Sequence, residues 1–226
     1  MLIQIPQILS ADELAYCCSE LQMANWADGR HSAGYLSQSV KHNYQLADRD
    51  PVALRLGEVI LAALDRNSLF TSAALPLKIL PPLFNQYQQG QTYGFHIDGA
   101  IRPVTGTPHR IRTDLSATIF LSDPADYEGG ELQIEDTFGA RSIKLAAGDM
   151  VLYPGTSVHR VAPVTRGTRL ASFFWIESMV RDLTQRTMLF QLDNAIQSLA
   201  QDVPGHATLV DLAGIYHNLL RNWADT

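Results

Sequence analysis

The sequence predicts an α+β protein with a strand-rich centre and helices before and after it. Helix-start signals followed by apolar stripes occupy the region up to about residue 76. From about Leu77 to Glu177 the pattern becomes short aromatic or β-branched runs broken by Gly, Pro and Asp. Helical periodicity returns after Glu177. Three regions follow: 1–76, helical and mixed, packing on a barrel; 77–177, the barrel; and 178–226, a helical extension.

Ser10-Ala11-Asp12-Glu13 is a capping-box sequence, and Leu9 and Leu14 are placed for a hydrophobic staple, so a helix starts at Ala11 and runs to about Met23. Asp50-Pro51 is an N-cap followed by proline at the first helical position, and Val52, Leu56, Val59, Ile60 and Ala63 continue as an apolar stripe. A looser polar stretch containing His31 and His42 separates these helices. The expected strands are Pro82 to Gln88, Tyr93 to Asp98, Asp114 to Leu121, Glu131 to Glu135, Arg141 to Leu145, Asp149 to Tyr153, Ser157 to Val161 and Arg169 to Glu177. Roughly eight short strands in about a hundred residues predict a double-sheet barrel of the jelly-roll kind, a double-stranded β-helix. Two further helices are expected through Arg181 to Gln201 and Thr208 to Trp223, separated by Val203-Pro204-Gly205-His206.

The 226 residues suffice for one large core. A hydrophobic share of 46% with 18% charged residues is that of a folded globular chain. A formal charge of -6 argues against general nucleic-acid binding, which needs a cationic excess to neutralise phosphates. Cys17 and Cys18 are adjacent, a spacing that disfavours a mutual disulfide, and read as reduced thiols on the first helix. There is no cationic leader followed by a long apolar run, and no apolar run of about 18 residues, so the expectation is a soluble cytoplasmic protein without a membrane role.

Chemistry concentrates in YGFHIDGA, Tyr93 to Ala100. On an extended segment His96 and Asp98 leave the same face and can reach one point. His159, in YPGTSVHRVAPV, adds a third donor. Two imidazole nitrogens and one carboxylate oxygen occupy one face of a metal and leave the other open, which suits non-haem Fe(II) better than a closed zinc site. A His-x-Asp pair alone is weak evidence, since surface pairing or turn capping accounts for most of them. Arg169 strengthens it: ten residues after His159, beyond a turn near Arg166-Gly167, an antiparallel return brings a carboxylate-binding guanidinium close to the donors.

The ordered set Tyr87, His96-Ile97-Asp98, Gly129-Gly130-Glu131-Leu132, Gly148-Asp149, His159, Pro163-Val164 and Gly167-Thr168-Arg169 resembles the Fe(II)/2-oxoglutarate dioxygenases of the prolyl/lysyl-hydroxylase (PKHD) type. The helices and overall length are similar to the bacterial, iron-uptake-associated branch. The resemblance implies that His96, Asp98 and His159 hold Fe(II) and that Arg169 binds the far carboxylate of 2-oxoglutarate. The animal collagen-type relatives have lysine at that last position. It further implies hydroxylation of a small-molecule or peptide substrate with O2, decarboxylation of 2-oxoglutarate to succinate, and support by L-ascorbate. Tyr87 is a candidate hydrogen-bond partner of the cosubstrate, with a buried tyrosine satisfied elsewhere as the equal alternative. Asn85 is a weaker candidate of the same kind.

Two other readings use the same residues. A non-catalytic iron or 2-oxoglutarate sensor would bind both without turnover, whereas a cupin-like metal hydrolase or isomerase would work with zinc and ignore 2-oxoglutarate. Arg169 and the lack of an obvious extra general base count against the latter. The loop from Ala100 to Thr113, with Arg102, Arg110 and Arg112, reads as a rim or lid; its cationic character hints at an anionic substrate, although a solvated loop is the stronger reading of those charges, and its His109 lacks a strand to aim it as a ligand. His31, His42, His206 and His217 read as surface or packing residues, and Trp26, Trp175 and Trp223 as core or interface anchors. The C-terminal helices are candidates for a homo-oligomer interface.

Overall fold

A computed structural model describes residues 1–32, 34–136 and 139–225 of the chain. Both helix starts read from caps are present. The helix Ala11–Gln22 opens with a reciprocal box, in which Ser10 Oγ accepts from the Glu13 amide at 3.3 Å and the Glu13 carboxylate accepts from the Ser10 amide at 2.9 Å. The helix Pro51–Asp65 is capped by Asp50, which accepts from the amides of Val52 and Ala53. Because that carboxylate satisfies amides that have no partner within the helix, Asp50→Ala is expected to lower stability by about 0.5–2 kcal/mol, read from a denaturant midpoint.

Two antiparallel sheets form the centre. The larger runs in the order Ile3–Ile5, Met150–Pro154, Leu115–Phe120, Arg169–Ser178, Leu83–Tyr87, Tyr44–Gln45 and Ala27–Asp28, with Pro76–Ile79 pairing beside the far end of Arg169–Ser178. The smaller runs Gly139–Ile143, Leu132–Asp136, His159–Val161, Thr92–His96 and Lys41–His42. All eight expected strands are present, with ends shifted by a few residues. The helix Ser68–Ala74, capped by Asn67, was not expected, nor were the short strands at residues 27–28, 41–42 and 44–45 within the polar stretch. The two C-terminal helices span Leu183–Asp202 and Thr208–Trp223.

The central strands of the larger sheet are buried on both faces, which explains why they read as continuous runs. Along Leu115–Phe120, Leu115, Ala117 and Ile119 pack with Leu56, Ile60, Ala63 and Leu64 of the second helix in the main core. The alternate residues Ser116, Thr118 and Phe120 face the smaller sheet. In Arg169–Ser178 the same alternation sends Phe174 and Ile176 to the helices, and Arg169, Phe173 and Trp175 to the space between the sheets. A second core, including Tyr87, Phe120, Leu132, Ile134, Val151 and Val161, closes one end of that space. The other end stays open as a cavity.

Among the described residues no helix is long and apolar enough to cross a membrane. Cys17 is buried and free, and burial pushes its thiol up to about 12, so it is inert at neutral pH. Cys18 is also free, its Sγ 3.3 Å from the Leu121 carbonyl.

Candidate active site

The cavity between the sheets has a volume of about 340 Å³, at the lower end of the ~300–1,000 Å³ usual for small-molecule sites. His96 and His159 lie directly opposite each other on neighbouring strands of the smaller sheet, with ring centroids 4.2 Å apart. The strand ends at His96, two residues earlier than expected, and Asp98 lies beyond it. Alternation nonetheless persists: Phe95 and Ile97 are exposed, while His96 and Asp98 turn inward. Asp98 Oδ2 is 3.8 Å from His159 Nε2, and one ligand atom from each of the three residues lies within 4.8 Å of the others.

Each donor is oriented by a neighbour. The Nδ1 of His96 is 2.8 Å from the Gly94 carbonyl and that of His159 is 3.0 Å from the Ser157 carbonyl. Donation from Nδ1–H to those carbonyls leaves both Nε2 lone pairs free. Ser116 Oγ donates to Asp98 Oδ2 at 2.6 Å, linking the three-donor cluster to the larger sheet. Burial, with the His159 ring next in effect, pushes the His96 imidazole down to about 4, so it is neutral and able to ligate at pH 7. Tyr93 stacks on His96 at 3.7 Å and Tyr153 meets His159 edge-on at 5.2 Å.

Arg169 lines the same cavity, but by a route different from the expected one. Val164–Gly167 is a strand paired with Tyr127–Gly129, and the chain then crosses to the larger sheet, where Arg169 pairs with Tyr87. The guanidinium thus faces the donors from the opposite sheet instead of lying beside His159. It is 1% exposed, with its Cζ 5.4 Å from the Tyr87 ring centroid and 5.2 Å from that of Phe120. Its Nε and Nη1 are buried without a hydrogen-bond partner among the described residues. A buried cation with orphaned donors is costly unless an anion completes it.

Tyr87 and Asn85 also line the cavity from the strand next to Arg169, and Asn85 Oδ1 is likewise buried without a partner. Burial raises the Tyr87 phenol, so it stays protonated and able to donate. Two glycines shape this corner. Gly129 has φ 69° and a Cβ there would lie 2.0 Å from the Pro163 carbonyl oxygen; at Gly130, φ 67°, it would lie 3.1 Å from Arg169 Cδ.

The segment after Asp98 is not a bare loop. Ile101–Pro103 and Arg110–Arg112 form a hairpin, anchored where Thr113 donates from its amide to the Ala100 carbonyl and from its hydroxyl to the Gly99 carbonyl. His109 sits exposed beside the hairpin turn. Of the three arginines only Arg102 enters the cavity. Arg110 is exposed, and Arg112 is engaged outside by Asp114, at 2.7 Å, and Glu177. His31, His42, His206 and His217 are exposed. Trp175 forms cavity wall, while Trp26 and Trp223 pack on the cores. Lys41, from the stretch read as loose and polar, also lines the cavity; a lone lysine there carries no sequence signal that marks it.

A model of the 2OG-Fe(II) oxygenase superfamily matches residues 82–177, and one of the PKHD-type hydroxylase C-terminal domain matches residues 184–225. A prolyl hydroxylase of Trichoplax adhaerens, solved with a hypoxia-inducible-factor peptide fragment, superposes with a TM-score of 0.57 at 14% identity, over 83% of this chain and 86% of that one. A Pseudomonas putida prolyl-4-hydroxylase gives 0.51 at 20% identity, over 78% and 92%. These likenesses establish the jelly-roll fold of the 2OG-Fe(II) oxygenases. At closer range, a PKHD-type hydroxylase of Bordetella pertussis is 56% identical over 225 residues and one of Saccharophagus degradans 57% over 226, each pairing covering 100% of both chains. The chain belongs to the PKHD-type hydroxylases, enzymes of the Fe(II)- and 2-oxoglutarate-dependent oxygenase superfamily.

Proposed function

We propose that the cavity binds Fe(II) through His96, Asp98 and His159 and 2-oxoglutarate through Arg169, and that it hydroxylates a C–H bond of a small molecule or peptide side chain. The observation that carries this reading is the opposition of the two features across one cavity, three convergent donors on one sheet and orphaned guanidinium nitrogens on the other. The donor set fits Fe(II): two neutral imidazoles and a carboxylate on one side leave coordination positions for a cosubstrate and O2. The orphaned nitrogens fit the far carboxylate of a dicarboxylic acid, with Tyr87 beside them as a further donor. Bound iron would supply the oxidising chemistry, in which O2, 2-oxoglutarate and the substrate C–H become succinate, CO2 and the hydroxylated product.

The protein's own contribution is placement. Ser116 holds the Asp98 carboxylate, the Gly94 and Ser157 carbonyls hold the imidazoles, and the aromatic wall of Tyr93, Phe173 and Trp175 keeps bulk water from the reacting carbon. Ser116→Ala is expected to weaken metal binding by about 10–100-fold while leaving the fold intact, as measured by anaerobic Fe(II) titration. A sensor would use the same binding groups, so turnover separates the two. Under this reading, the protein loaded anaerobically with Fe(II) and 2-oxoglutarate releases succinate on admission of O2, in step with an oxidised product and with ascorbate sustaining repeated turnover. Zinc-supported activity indifferent to 2-oxoglutarate would overturn it. A cytoplasmic setting, a link to iron homeostasis and pairing of subunits through the C-terminal helices complete the proposal.

A further inference from the structure

Three cations and one carboxylate line the cavity among the described residues: Lys41, Arg102, Arg169 and Asp98. Divalent iron and doubly negative 2-oxoglutarate would cancel, and Arg169 offsets Asp98. Lys41 and Arg102 are then left as an uncompensated pair in a space that excludes much of the water. Arg102 comes from the hairpin after Asp98 and lays its guanidinium over the Trp175 indole, Cζ 3.9 Å from the ring centroid. With one face covered, its in-plane donors stay available.

Lys41 is 4% exposed, at the sheet edge next to Tyr93, with its Nζ 5.3 Å from the Tyr93 ring centroid. Two of its three protons go to Ser32 Oγ, at 2.7 Å, and Gln45 Oε1, at 2.8 Å. Burial, and then Arg102, push the ammonium down to about 8, so it remains charged at pH 7. Neither cation has a carboxylate within ion-pair distance among the described residues. The acidic groups that act on them are Asp98, which bound iron would take up, Asp48, exposed to solvent and accepting from Thr105, and Asp28, paired with Arg30.

We propose that Lys41 and Arg102 receive a carboxylate of the substrate, so that the molecule hydroxylated is an acid whose anionic end is held by this pair while its reacting carbon reaches toward the donors. This deepens the functional reading above and rests on it. The planar edge of Arg102 suits a two-oxygen anion, Lys41 adds a point charge, and Trp175 with Phe173 offers an apolar wall for the carbon skeleton.

The test uses the full chain loaded with Mn(II) and 2-oxoglutarate and benzoate as probe, against benzamide and phenyl phosphate, by titration calorimetry. Saturable benzoate binding at millimolar concentration is expected, with benzamide weaker by about tenfold or more. Arg102→Gln and Lys41→Met should each weaken benzoate by about tenfold while Mn(II) and 2-oxoglutarate affinities stay within about twofold. Arg102 is on a surface hairpin, so its variant remains informative if the buried Lys41→Met variant fails to fold. Equal binding of benzoate and benzamide, or unchanged benzoate binding in Arg102→Gln, would overturn the proposal, and a preference for phenyl phosphate would replace the carboxylate by a phosphate. Failure of the wild-type protein to take up Mn(II) and 2-oxoglutarate at all would instead sink the functional reading beneath it, before benzoate is added.

Discussion

His159→Ala is expected to abolish iron binding and 2-oxoglutarate turnover together. His159 is 5% exposed and sits in the middle of the smaller sheet, between Leu132–Asp136 and Thr92–His96. Its Nε2 faces Asp98, and its Nδ1 is fixed by the Ser157 carbonyl. Alanine removes one of three donors and supplies no replacement, since His31, His42, His109, His206 and His217 are exposed and none of them lines the cavity. The loss should exceed the ~10–100-fold typical of changes to groups that merely orient a ligand. Anaerobic Fe(II) titration and O2-dependent succinate release measure the two effects. Retention of full turnover by this variant would refute the assignment of His159 as a ligand. Some stability is lost too, because the edge contact with Tyr153 goes with the ring.

Arg169→Ala should separate the cosubstrate from the metal. Truncating one partner of a buried, hydrogen-bonded charge pair costs about 2–5 kcal/mol, roughly 30-fold to several-thousand-fold in affinity. The 2-oxoglutarate KM should rise on that scale while Fe(II) affinity changes little, because the guanidinium is not one of the three convergent donors. Arg169→Lys keeps the charge but loses the planar fork, and should recover part of the affinity. A thermal readout discriminates further. The wild-type cation is buried with two nitrogens that have no hydrogen-bond partner among the described residues, so 2-oxoglutarate should raise Tm strongly in the wild type and hardly at all in Arg169→Ala. Equal Tm shifts in the two proteins would rule out the anchor role.

Features governed by near neighbours were legible in the sequence. The caps at Ser10 and Asp50 place two helices because a capping carboxylate or hydroxyl needs only the next few amides. The strands of the larger sheet showed as apolar runs because helices cover one face and the smaller sheet the other. The helix Ser68–Ala74 escaped because it is only two turns long, and the hairpin after Ala100 because Pro103, Gly106 and Pro108 punctuate it like a loop. Strands of two residues at 41–42 and 44–45 carry too little pattern to read, although one of them brings Lys41 to the cavity.

The sequence by itself determined which chemistry was available: a His-x-Asp pair, a second histidine and an arginine ten residues beyond it, in an order that resembles one oxygenase family. It also determined the inward turn of His96 and Asp98, since alternation along an extended chain is local. Only the tertiary structure decided that His159 lies opposite His96, that Arg169 faces them from the other sheet, and that Arg102 alone of its loop enters the cavity. The physical reason is that strand pairing and sheet stacking join residues far apart in the chain. A spacing of ten residues is equally compatible with a hairpin on one sheet and a crossover to the next, and the choice between them is made by how the two faces bury their apolar sides.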